Sequence, residues 1–283
     1  MPNLDEQKAK ANAFRMLHRG GKVLVLPNAW DVVSARVIEE AGFPAIATTS
    51  AGIAFSLGYP DGQRIAREEM LARVARIVRA VRVPVTADIE AGYGNRPEDA
   101  AETTRAVIEA GAVGMNLEDG AGDVQRPLVD IGLQVEKIRA IRETVFKTGV
   151  LVVLNARTDV YLEQVGSPAT RYDETLRRGL AYRDAGADCI FVPGVRDAET
   201  ILKLVHDLNC PLNILAGPGS LSVGELEKLG VARVSLGSAP MRATLGLLQR
   251  MAKELKTTGT YISIEGAPAH SDVNQLMTRR DAD

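Results

Sequence analysis

Eight short apolar runs recur along this chain, separated by longer amphipathic segments, and that alternation limits the available folds more than any other feature. The runs are Val23–Leu26, Ala45–Thr48, Val85–Ala87, Val113–Leu117, Leu151–Leu154, Cys189–Val192, Leu212–Leu215 and Val234–Leu236. Each reads as a strand buried on both faces, the pattern of a parallel sheet covered by helices. Pro97–Ala110, Leu133–Thr148, Tyr172–Ala185 and Val223–Leu229 read as helices between them, and Leu4–Arg19 as a helix before the first. Gly42, Gly111 and Gly186 each follow a last helical turn, where a left-handed residue swings the chain toward the next strand. Eight such units in 283 residues predict an α/β chain closed into a (β/α)8 TIM-type barrel, with an open doubly wound sheet as the alternative. No Pro/Gly/Ser-rich linker interrupts the pattern. Residues 1–283 are therefore read as one barrel domain with an extra N-terminal helix and a C-terminal helical arm over 257–283.

Composition excludes several function classes. The net charge is −2 and the basic residues are dispersed, which argues against a nucleic-acid partner. Met1 to Lys10 lacks an apolar signal core, and no apolar run reaches the length of a membrane span, so a cytoplasmic protein without a membrane partner is expected. Cys189 and Cys210 read as buried thiols rather than a disulfide, and no Cys/His spacing supplies a structural zinc site.

In a barrel of this kind the chemistry gathers where strands end and the following loops begin. Asp88 and Glu90 follow the third run, Glu118 and Asp119 the fourth, and Asp61 lies on the loop after the second. Carboxylates packed this closely repel one another unless a hard cation sits among them. Magnesium, with manganese as a substitute, fits an all-oxygen set that keeps several waters. Asp88 is read as the direct ligand, with Asp61, Glu90 and Glu118 acting mainly through water. Arg157 is the cation at a mid-chain strand end and can grip a carboxylate in bidentate fashion. Ser50, Ala51 and Gly52 offer backbone N–H groups and a hydroxyl suited to an anionic oxygen. His18, His206 and His270 all lie away from strand ends, no cysteine stands in a reactive loop and no lysine at a strand end, so the chemistry falls to the metal, Arg157, and water or a tyrosine such as Tyr59 or Tyr93.

Five motifs, in order and at barrel spacing, carry a resemblance: Thr-Ser-Ala-Gly at 49–52, Leu-Gly-Tyr-Pro-Asp at 57–61, Ala-Asp-Ile-Glu-Ala-Gly-Tyr-Gly-Asn at 87–95, Asn-Leu-Glu-Asp at 116–119 and Asn-Ala-Arg-Thr-Asp at 155–159. From about Arg19 to Lys256 the chain resembles the isocitrate lyase/phosphoenolpyruvate mutase superfamily. The resemblance implies magnesium at Asp88 with outer carboxylates at Asp61, Glu90 and Glu118. It implies a 2-oxo acid bound through its carboxylate and keto oxygens, gripped by Arg157 and Ser50–Gly52. It also implies that Asn213 and Arg242 hold the far end of the substrate, and that the last barrel helix is exchanged between subunits in a homotetramer.

Two departures qualify the match. The lyases of this superfamily carry Lys-Lys/Arg-Cys-Gly-His on a loop after strand 4, where this chain reads Gly120-Ala121-Gly122-Asp123-Val124-Gln125-Arg126-Pro127-Leu128. The Lys and Asn of the mutases and phosphonopyruvate hydrolases are missing from that loop too. After strand 6 the lyases have Pro-Glu, and here Pro193-Gly194 stands instead. The expectation is a magnesium-dependent lyase that cleaves a C–C bond of a small 2-oxo acid, by decarboxylation or retro-aldol reaction, through an enolate. The alternatives are P–C chemistry on phosphonopyruvate and binding of an oxo acid without catalysis.

Overall fold

The computed structural model describes residues 3–278. Nine parallel strands run β1 (Leu24–Leu26), β2 (Asn28–Ala29), β3 (Ile46–Thr48), β4 (Val85–Ala87), β5 (Gly114–Glu118), β6 (Val153–Arg157), β7 (Cys189–Val192), β8 (Leu212–Leu215) and β9 (Arg233–Ser235). Their order is β1-β9-β8-β7-β6-β5-β4-β3-β2. Eight apolar runs became nine strands because the chain continues past the first run and Pro27 into a second short strand, β2. Proline has no N–H to give a ladder, so β1 pairs with β9, β2 pairs with β3, and the ring closes across the proline. The expected TIM-type barrel is the fold, and the open sheet is excluded.

Helices Val32–Glu40, Arg67–Ala80, Pro97–Glu109, Ile131–Thr148, Pro168–Asp184 and Ala198–Leu208 are among those covering the outside. Gly42, Gly111 and Gly186 have φ of 85°, 87° and 113°, the left-handed geometry their positions required. The sixth strand begins at Val153, two residues later than the apolar run, and reaches Arg157, which carries the guanidinium to the mouth.

Alternation along the strands divides the core into two environments. Met115, Leu117, Leu154, Ala156, Ile190 and Val192 are fully buried in the apolar core. Several of the alternate residues are polar and bond to one another inside the barrel. Asn155 Nδ2 donates to Asn116 Oδ1 at 2.7 Å, and the Asn213 amide pairs with the Ser235 hydroxyl at 3.2 Å. Arg233, with no exposure at all, also reaches Asn116. The expectation of strands apolar on both faces is therefore corrected: the inner face is a hydrogen-bonded polar layer leading up to the mouth.

The N-terminal helix Leu4–Leu17 closes the opposite end of the barrel. Phe14 lies against Gly114, where a Cβ would come within 2.6 Å of both the Phe14 ring and the Thr86 hydroxyl. After Ala239–Thr257 the arm folds back, and Arg36 Nη1 donates to the Leu276 carbonyl at 2.6 Å from helix Val32–Glu40. Residues 1–2 and 279–283, which belong to the expected polar N-terminus and to the end of the arm, lie outside the described residues. Among the described residues, no helix is long and apolar enough to cross a membrane.

Candidate active site

The strand ends place Asp88, Asn116, Glu118 and Arg157 side by side on the inner face. Asp88 is fixed from two directions. Its Oδ2 accepts from the Ser50 backbone N–H at 3.0 Å and from the Ser50 hydroxyl at 2.8 Å, and its Oδ1 faces Asn116 Nδ2 at 3.4 Å. The Thr48 hydroxyl oxygen accepts the Asp88 N–H at 2.9 Å, tying the turn to β3. These contacts give Ser50–Gly52 a place in the site. The three residues open helix Ser50–Ser56, the Ser50 donors are engaged by Asp88, and the Gly52 N–H is directed at its own cap, Thr49 Oγ1, at 3.3 Å. Ser50 thus orients the Asp88 carboxylate.

Glu90 sits on the Gly-Tyr-Gly loop in left-handed backbone, φ 54°, as does Tyr93, φ 58°. Non-glycine residues adopt this conformation at a cost, and such positions cluster at functional sites. Gln63 holds the loop from outside. Its backbone N–H donates to the Glu90 carboxylate, and its side-chain oxygen accepts the Tyr93 N–H at 2.7 Å. Lys137, buried, reaches across from helix Ile131–Thr148 to the Ala91 and Gly94 carbonyls at 3.2 and 2.8 Å. The Tyr93 hydroxyl lies 3.4 Å from Glu90 Oε1, whereas Tyr59 is 40% exposed on the outer turn.

The carboxylates sense one another. Burial, then the charges of Asp88 and Asp61, push Glu90 up to about 7. Loss of water, then Asp88, raises Asp61, although that side chain stays partly open to solvent. Burial raises Glu118 well above the usual range, with Arg157 opposing and Asp88 and Glu90 adding to it. This is an all-oxygen donor set under mutual repulsion, the condition a hard divalent cation relieves. Among the described residues no three His, Cys, Asp or Glu side chains converge tightly enough to hold an ion unaided. The chemistry of the donors, all oxygen and crowded with like charge, fits a hard cation that keeps much of its water.

Arg157 is held between two carboxylates. Its Nη1 pairs with Glu118 Oε2 at 2.6 Å and its Nε with Asp159 Oδ1 at 2.6 Å, and the guanidinium lies over the Phe191 ring, 5.8 Å from its centroid. Burial disfavours the cation, but Glu118 and Asp159 outweigh it and raise the Arg157 pKa.

Three other candidate residues are placed as follows. Asp119, read as one of the converging carboxylates, is fully buried and bonds behind the strand to Arg178 and Tyr182. Asn213 is fully buried on Ser235, deeper in the barrel. Arg242 is exposed on the first turn of helix Ala239–Thr257. Gln63, Lys137, Arg178 and Tyr182 went unnoticed in the sequence because each acts from a loop or helix, not a strand end. Only inward polar alternation at Asn116, Asn155, Asn213 and Arg233 offered a sequence signal for the interior layer.

Residues 14–256 match the family described as phosphoenolpyruvate phosphomutase. The chain is 35% identical to 2,3-dimethylmalate lyase from Eubacterium barkeri over 94% of this chain and 93% of that one. A solved structure from Burkholderia cenocepacia J2315 superposes with a TM-score of 0.92 at 40% identity, covering 98% of each chain. A phosphonopyruvate hydrolase solved with oxalate and Mg²⁺ superposes with a TM-score of 0.82 at 25% identity over 94% of each chain.

Proposed function

Because this chain belongs to the phosphoenolpyruvate phosphomutase family of the isocitrate lyase/PEP mutase superfamily, we infer that it is a magnesium-dependent lyase cleaving a C–C bond of a small 2-oxo acid. The observation that carries the reading is the placement of Asp88. It is gripped by both Ser50 donors, surrounded by Asp61, Glu90 and Glu118, and neighboured by the Arg157 guanidinium. The lyase relative and the oxalate- and Mg²⁺-bound neighbour support it, oxalate having the size and paired oxygens of a 2-oxo acid's reacting end.

Asp88 would hold the cation, with Asp61, Glu90 and Glu118 ordering its water. When bound, the ion supplies Lewis acidity that stabilises negative charge on the keto oxygen, as an enolate requires. The chain's own residues do the rest. Arg157 offers its remaining N–H groups to the substrate carboxylate while Glu118 and Asp159 keep it in place. Tyr93, on its strained turn beside Glu90, is placed to hold or pass a proton. The hairpin-like loop 120–128, closed by a bridge between Gly120 and Leu128, carries no thiol, so cleavage runs without cysteine acid–base chemistry. The expected homotetramer draws support from helix Ala239–Thr257 and the segment after it, where Leu248, Leu255 and Ile262 remain exposed.

A panel of 2-oxo acids incubated with the protein and Mg²⁺ tests the reading. Pyruvate or another short oxo acid should be released from at least one member, and release should vanish in Asp88→Ala. No turnover across the panel sinks it. The oxalate-bound neighbour keeps P–C bond hydrolysis of phosphonopyruvate as the second reading, which phosphate release distinguishes. Ligand-dependent thermal stabilisation without any turnover would point to an oxo-acid binder.

A further inference from the structure

We propose that Asp119, clamped by Arg178 and Tyr182, is the positioning residue that orients Arg157 and fixes the base of the adjoining 120–128 loop. The proposal deepens the 2-oxo-acid reading, because the anion grip assigned to Arg157 is what the cluster would set.

The connections run without a gap. Asp119 Oδ2 accepts from the Tyr182 hydroxyl at 2.7 Å and from Arg178 Nη1 at 3.0 Å. Its Oδ1 accepts the Asp159 backbone N–H at 2.9 Å. The Asp159 side chain in turn takes Arg157 Nε at 2.6 Å. Arg178 is itself braced by Glu174 Oε1 at 2.7 Å. The Asp119 carboxylate therefore sets the backbone of residue 159, and residue 159 sets the guanidinium. Gly120 permits the close approach, since a Cβ there would stand 2.8 Å from Asp159 Oδ2.

The same cluster secures the loop. Asp119 accepts the Val129 N–H through its backbone carbonyl at 2.8 Å, and Arg178 Nη1 donates to the Val129 carbonyl at 3.0 Å. Both ends of 120–128 are thus tied to one buried ion pair, while the loop tip at Val124 is 99% exposed. A purely structural ion pair would serve as well on the far side of the barrel. This one instead places a full charge-assisted network directly behind the cation at the mouth, where a small misplacement of a binding group is costly.

Two variants test the idea, Asp119→Asn and the milder Tyr182→Phe, the latter removing one hydroxyl from an otherwise unchanged ring. The first readout needs no ligand: exchange of the Arg157 Nε–H, followed by NMR and assigned by its loss in Arg157→Lys. Exchange should accelerate about tenfold in Asp119→Asn, the loss of roughly one hydrogen bond, and in the same direction in Tyr182→Phe. The second is calorimetric titration of oxalate in the presence of Mg²⁺, alongside Mn²⁺ binding alone. Oxalate should weaken about tenfold while Mn²⁺ affinity stays within a factor of about two. Unchanged Arg157 exchange in a folded variant overturns the proposal, as does equal weakening of oxalate and Mn²⁺. If Asp119→Asn does not fold, Tyr182→Phe decides alone. If wild-type protein fails to bind oxalate yet Arg157 exchange responds as stated, the positioning role stands and the functional reading falls.

Discussion

Glu118 and Arg157 are direct neighbours in register on β5 and β6, and their side chains close a 2.6 Å ion pair at the barrel mouth. With Asp159 on its other side, Arg157 is a cation pre-placed by two carboxylates, and its removal leaves both without their counter-charge.

Arg157→Ala should therefore weaken 2-oxo-acid or oxalate binding by about 2–5 kcal/mol, through loss of a charged partner in a partly desolvated site. It should also lower stability by roughly 3–5 kcal/mol, because Glu118 and Asp159 lose a buried partner. Oxalate calorimetry and urea denaturation measure the two effects separately. Arg157→Lys restores charge without the planar fork, so it should recover more stability than affinity.

Magnesium binding should depend on pH. In the metal-free protein Glu90 is pushed up to about 7 by burial and by Asp88 and Asp61. A cation must displace that proton, so affinity should fall as pH drops below about 7 and level off above about 8. Titrations at pH 6 and pH 8, in buffers of different ionisation enthalpy, would register the proton released. An Mg²⁺ affinity independent of pH over that range would show that Glu90 does not sense the ion.

His18 gives the fold its own pH dependence. Its Nδ1 faces the Phe14 carbonyl at 2.9 Å, so Nδ1 carries the proton of the neutral ring, and the ring packs edge-on to Phe14 at 4.8 Å. Burial, and then the nearby Arg233 cation, lower its pKa to about 4 from an ordinary 6.5. The unfolded chain takes up a proton near pH 6.5 that the native protein resists until about pH 4. This contribution to stability is complete above pH 6.5 and drains away as pH falls, by about 3 kcal/mol in all. Urea denaturation at pH 7.5 and pH 4.5 should show His18→Gln losing less stability between the two than wild type.

The thiols should be dispensable for turnover. Cys189 is fully buried in β7 and burial holds its pKa far above the usual range, while burial takes Cys210 up to about 11. Neither presents a thiolate near neutral pH. Cys189→Ser should keep the turnover found in the substrate panel, at a stability cost of about 1–3 kcal/mol for a poorly paired hydroxyl. Loss of activity in folded Cys189→Ser would place a thiol in the mechanism.

Much of the barrel was legible because its strands are brief and its helices end in glycine. Three of the eight apolar runs coincide with observed strands, and the others lie within one or two residues of each observed start. The sixth strand was shifted because Leu151 and Val152 are apolar without joining the ladder, whereas Asn155 and Arg157, polar, are strand residues. Asp88, Glu90, Glu118 and Arg157 were legible for a similar reason: in a parallel barrel, order along the chain fixes which strand ends are neighbours.

Sequence alone pointed to eight βα units and to carboxylates at several of their strand ends, with a closed barrel ahead of an open sheet, because hydrophobic periodicity and handed connectivity leave few other arrangements. It could not determine which way each polar side chain turns. Asp119 and Glu118 are consecutive, and the two-residue period of a strand sends neighbours to opposite faces. One became part of the mouth, and the other met Arg178 and Tyr182 from a helix about 60 residues along the chain. Ser50 likewise reached Asp88 instead of solvent only once two strands lay side by side. Hydrogen-bond partners distant in sequence are chosen by packing, and tertiary structure alone decided them.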